Sequence, residues 1–191
     1  MPLRNEATEN HGLPQPGTAN TPSIFGMSRK FSFTVPYTVP VEELHRALVD
    51  DAVWQARFAA AETATIELSH PDGPDSITIH MTETPGKDKV PALVRKVLKS
   101  DLVLVRTDNW QPLQGETAKG SFTGNTSGIT TEMSGTYELR PTAEGSEIEV
   151  VGTVKVKVPL VGGAIEPLAE QLHQRVLHSE RKFIENWFAK L

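Results

Sequence analysis

The chain has 191 residues, a net charge of −5 and no cysteine, which excludes a disulfide framework and thiolate zinc sites. An acidic chain of pI about 5.7 lacks the basic surface that a nucleic-acid partner demands. Hydrophobic residues at 38% suffice for one domain, but no stretch approaches the roughly 18 consecutive apolar residues of a spanning helix.

Residues 1–26 mix Pro, Gly, Asn and Thr without periodicity. Such a segment buries too little to offset its ordering entropy, so a disordered tail is expected, with the folded domain spanning 27–191. Met27 is either the true start or the end of a regulatory extension. No apolar core with a small-residue cleavage site opens the sequence, and the lack of cysteine fits a reducing compartment. A cytoplasmic location is the expectation.

In "KFSFTVPYTV", Phe31, Phe33 and Val35 alternate with polar residues, the mark of a half-buried strand. Pro36 suits an edge. The period then changes. Pro40, Glu42 and Glu43 suit a helix start, with Val41, Leu44 and Leu48 on one stripe. Asp50 or Asp51 can cap a second short helix carrying Val53, Trp54 and Phe58. Ala64, Ile66 and Leu68, then Ile77, Ile79 and Met81, form a hairpin across the turn "HPDGPD". "KVPALVRKVLKS" predicts a short helix. Strands follow in "DLVLVRTDNWQPL", "ETAKGSFTGNTSG", "ITTEMSGTYELRP" and "EIEVVGTVKVKV". Glycines 120, 124, 128 and 135 are expected at bulges and corners of a bent sheet.

After Gly162 and Gly163 the rhythm becomes helical. Ile165, Leu168, Leu172, Val176, Phe183, Ile184, Trp187 and Leu191 form the predicted buried stripe. Pro167 places the regular start near Glu166. Glu170, His173, Arg175 and Glu180 are expected in solvent.

The order predicts an α+β fold. A strongly curved antiparallel sheet of about seven strands wraps around a long C-terminal helix, with two short helices after the first strand. "KFSFTVPYTVPVEELHRALVDDAVWQARF" and "GTVKVKVPLVGGAIE" resemble the START-like, helix-grip superfamily. Within it the likeness is to a bacterial branch of unknown function, DUF2505. The resemblance implies the helix-grip fold and carries over no catalytic residue.

The chemistry search is mostly negative. Glu42 and His45 lie three apart, but no second such pair completes a metal site, and a solvated helix face is the expectation. His173 and His178 point to different sides of a helix. No nucleophile elbow, phosphate loop or dinucleotide fingerprint occurs. No metal and no cofactor is expected. The curved shell instead suggests a cavity for an apolar small molecule, such as a lipid, isoprenoid or polyketide. Candidate lining residues are Trp54, Phe58, Arg106, Trp110, Phe122, Thr131, Met133, Tyr137, Leu168 and Leu172. An enzyme of cyclase or hydratase type would use Tyr137, Thr131 and Arg106. A module with a filled core, acting on a partner protein, is the third reading. No transmembrane segment is expected, and transient contact with a membrane surface stays open.

Overall fold

The strand alternation read above becomes one seven-stranded antiparallel sheet, seen here in a computed structural model that describes residues 28–190. In chain order the strands are β1 (Arg29–Tyr37), β2 (Ala64–Ser69), β3 (Ile77–Glu83), β4 (Val103–Trp110), β5 (Ala118–Ser127), β6 (Thr131–Thr142) and β7 (Gly145–Val156). Their lateral order is β1-β7-β6-β5-β4-β3-β2. Only the closing of β1 onto β7 is non-sequential. β1 is an edge strand, which is where exposed Pro36 can sit without breaking a ladder.

Two short helices follow β1: α1 (Val41–Leu48) and α2 (Asp51–Phe58). Asp50 caps α2 by accepting from the Ala52 amide at 2.8 Å. The predicted helix in "KVPALVRKVLKS" shrinks to a single turn, α3 (Ala92–Arg95), which seats Val94 in a small second core with Val90, Ile129, Val156 and Ile165. The expectations for residues 1–26 and for Leu191 lie outside the described residues.

Helix α4 (Gly162–Phe188) lies along β7 and β1. It starts four residues before the expected Glu166. Pro167 removes the bond to the carbonyl of Gly163, and exposed Gly163 can take water instead. The buried face also differs from the apolar stripe. Ile165, Glu166, His173, Leu177, Glu180 and Ile184 are buried, while Leu172 is 43% exposed. The helix is thus rotated so that Glu166, His173 and Glu180, each seven residues from the next, face inward. The expectation that His173 and Glu180 lie in solvent is corrected.

The inner face of the sheet is organised by glycine–aromatic pairs in register. Phe31 faces Gly152, Phe122 faces Gly135, and Trp110 faces Gly120. A Cβ at Gly135 would come within 2.5 Å of the Phe122 ring and 2.2 Å of the Val151 carbonyl. One at Gly120 would sit 3.1 Å from the Trp110 ring. Pairing runs unbroken through glycines 120, 124 and 135, so they are not the bulges expected. Gly120 and Gly135 are floor space for rings lying flat on the sheet. Gly128 does fit a corner, with φ +83 in the β5–β6 turn. Gly135→Ala should therefore cost about 1–3 kcal/mol in urea unfolding, the usual penalty for overpacking. Gly124→Ala, whose Cβ would meet its nearest atom at 3.5 Å, should cost much less. Equal losses would contradict the role assigned to Gly135.

Candidate functional site

On β4, Arg106, Asp108 and Trp110 alternate onto the inner face of the sheet. Tyr137 joins them from β6, and Glu180 descends from α4. Arg106 Nε donates to Asp108 Oδ1 at 2.9 Å, and Nη2 donates to Asp108 Oδ2. The Tyr137 hydroxyl donates to Asp108 Oδ1 at 3.1 Å. Arg106 also spans to the helix: Nη1 is 3.1 Å from Glu180 Oε1 and Nη2 is 3.4 Å from Oε2. Arg57 of α2 reaches the same carboxylate, with Nη2 3.9 Å from Oε1. The fork of one guanidinium is shared between a carboxylate of the sheet and one of the helix.

Burial sets the electrostatics of this cluster. It pulls the Arg106 guanidinium down, but Asp108 and Glu180 outweigh it and hold Arg106 well above its ordinary value. Burial pushes the Asp108 carboxyl up, against the opposing pull of Arg106. Burial likewise raises the Tyr137 phenol well above its usual range, so it stays a donor. Three donors converge on Asp108. A carboxylate that only accepts satisfies all of them, and a protonated acid would waste one.

The surroundings are aromatic and tight. Trp110 stacks on Tyr137 with centroids 5.2 Å apart, Phe122 lies 4.9 Å from Tyr137, and His173 lies 4.6 Å from Phe122. Trp54 donates from its indole to the Leu48 carbonyl at 2.8 Å. Between them remains a cavity of about 10 Å³, lined by Tyr37, Leu48, Trp54, Arg106, Asp108, Trp110, Tyr137, Ile148, Leu177 and Glu180. That is room for about one water. The roomy cavity expected from the sequence is absent here, because the aromatic rings and the rotated helix fill it.

Among the sequence candidates, Trp54, Arg106, Trp110 and Tyr137 meet at this cavity. Phe122 lies one ring behind Tyr137. Phe58 and Met133 pack, half-buried, on the main core. Leu168 packs on the second core, and Thr131 lies beside it, opposite Val156 on β7. Leu172 points away from the sheet. Sequence reasoning missed Asp108 and Glu180. Asp108 was legible, since it follows Arg106 by two residues on the same face of β4. Glu180 was not, because a lone glutamate among charged helix residues reads as surface.

His173 is 5% exposed, and its Nε2 has no hydrogen-bond partner. It sits among Phe31, Phe33 and Phe122. Burial, with a smaller contribution from Arg106, pushes its pKa down to about 3. His45 is buried too, donating from Nε2 to the Gln111 carbonyl at 2.9 Å. It is therefore a core tie rather than the solvated or metal-ligating residue weighed above. No cluster of three potential metal ligands occurs among the described residues, nor is any of their helices long and apolar enough to cross a membrane.

A long helix held across the concave side of a curved antiparallel sheet defines the helix-grip fold. The chain belongs to the family described as "Protein of unknown function (DUF2505)", which it matches over residues 32–188. It is 29% identical over 172 residues to uncharacterized protein Rv0481c of Mycobacterium tuberculosis, covering 84% of this chain and 97% of that one. Two crystal structures share the fold. Ara h 8.0201 aligns with a TM-score of 0.54 at 16% identity, over 86% of this chain and 100% of that one. The ZhuI aromatase/cyclase of Streptomyces sp. R1128 aligns at 0.52 and 13% identity, over 84% and 93%.

Two outcomes follow from the electrostatics. Arg106→Met strands Asp108 and Glu180 without their shared cation and should cost about 3–5 kcal/mol in denaturant unfolding; a loss below about 1 kcal/mol would contradict the network. For His173, the folded pKa lies below the unfolded value of 6.5. Its contribution is therefore intact above pH 6.5 and is lost as pH falls toward 3, at up to about 1.4 kcal/mol per unit. His173→Phe should flatten the fall of stability over that window relative to the parent. Parallel curves would contradict a buried neutral imidazole.

Proposed function

We propose that this protein binds a hydrophobic small molecule of the lipid, isoprenoid or polyketide kind in the interior between α4 and the sheet. The observation that supports this most is a polar network set in aromatic walls, at a gap between helix and sheet. Burying two ions this way stabilises a fold no better than apolar packing of the same volume. A cluster of buried, perturbed groups in a cleft is instead a usual sign of a binding site. The gap as it stands admits about one water. Ligand entry therefore requires α4 to part from the β2–β4 side of the sheet, away from its main packing on β7 and β1.

A second reading is favoured by the convergence of Arg106, Asp108 and Tyr137 on the same gap. With a substrate in place, these groups could steer a reactive carbon skeleton and move protons, as a cyclase or hydratase does. Thr131 takes no part in that cluster.

Native mass spectrometry of freshly purified protein, paired with organic extraction, tests the proposal. The expected result is one copurifying apolar compound, lost on delipidation and regained on adding the extract back. Protein that is reproducibly empty and binds no apolar dye would overturn it, and would favour a module with a filled core acting on a partner protein.

A further inference from the structure

This inference rests on the interior-ligand reading and specifies the ligand's head group. Two guanidinium groups, Arg106 of β4 and Arg57 of α2, converge on the single carboxylate of Glu180. Asp108 sits two residues from Arg106 on the same strand and is held by Tyr137 as well. It stays with Arg106 whatever α4 does. Glu180, by contrast, arrives on the helix that must move.

The charges can then be followed through opening. With α4 seated, Arg57 and Arg106 balance Asp108 and Glu180. With α4 displaced, the fixed walls keep both guanidiniums and one carboxylate. The other inward ionisable groups of α4 do not compensate: Glu166 bonds the Val156 amide 3.2 Å away at the end of β7, and His173 is uncharged. Arg106 then keeps only Asp108, and the half-buried Arg57 loses the carboxylate beside it. An anion in the place of Glu180 would restore both contacts.

We propose that the interior ligand is an amphipathic carboxylate, and that Glu180 is a built-in stand-in for its head group that holds the empty site closed. The place vacated is carboxylate-sized and matches the planar fork of Arg106. A phosphate would bring nearly two charges where one is needed. The ligand's apolar body would lie against Trp54, Trp110 and Tyr137, which already line the gap.

The test compares dodecanoate with dodecan-1-ol, the same chain without the charge, by calorimetry and tryptophan fluorescence. The parent protein should bind dodecanoate about tenfold or more tighter than the alcohol, the worth of one charge-assisted hydrogen bond. Glu180→Gln removes the competing carboxylate. It should tighten binding of both probes by about tenfold, because opening no longer breaks the Glu180–Arg106 pair, and leave dodecanoate the tighter of the two. Arg57→Gln, on a less buried side chain, should weaken dodecanoate binding alone. If Glu180→Gln does not fold, Glu180→Asp, which keeps the charge but withdraws it from Arg106, should give a smaller shift in the same direction. Equal affinity for the two probes in parent and variants would overturn the carboxylate assignment while leaving the interior-ligand reading standing. Binding of neither probe by any of these proteins would overturn both.

Discussion

The structure turns on one guanidinium that cannot be left alone. Arg106 lies half-buried between sheet and helix, and both layers supply a carboxylate to it: Asp108 from its own strand and Glu180 from α4. Neither anion alone occupies the whole fork. The helix is thus held over the sheet partly by apolar contact through Ile165, Leu177 and Ile184 and partly by an ion pair that only a seated helix completes. Apolar contact tolerates sliding, whereas a bidentate ion pair has one geometry. This is why the register of α4 follows Glu180 and His173 rather than the longest row of leucines.

The sheet supplies the other half of the constraint. Glycines at 120, 135 and 152 let the rings of Trp110, Phe122 and Phe31 lie flat along the inner wall. Those rings both fill the concavity and surround the polar cluster with low-dielectric material. That setting explains why burial dominates the shifts of Asp108, Tyr137 and His173. Site and core are one structure: the aromatic packing that stabilises the fold also sharpens the charges within it.

Much of the fold was legible because period and turn chemistry act locally. The two-residue alternation of Phe31, Phe33 and Val35, the capping Asp50, the His70–Ser76 turn and the face of Thr131, Met133, Tyr137 and Leu139 all stand where the pattern places them. Helix α4 was legible as a helix but not in its rotation. Leu172 looked like core by residue type, yet it is exposed, and the inward face is set by partners far away in sequence: Phe122 for His173 and Arg106 for Glu180. The same holds for the glycines. Their spacing suggested a bent sheet, but the reason for Gly135 is a ring on the neighbouring strand, and register is not visible before pairing is known.

The central claim is that α4 covers an interior site by presenting Glu180 to Arg106, and that a ligand replaces that carboxylate. A crystal structure of the protein with dodecanoate tests this most directly. The ligand carboxylate is expected on Arg106 and Arg57, with the chain against Trp54 and Trp110 and Glu180 displaced. Glu180 still paired with Arg106, with the ligand only on the outer surface, would contradict it.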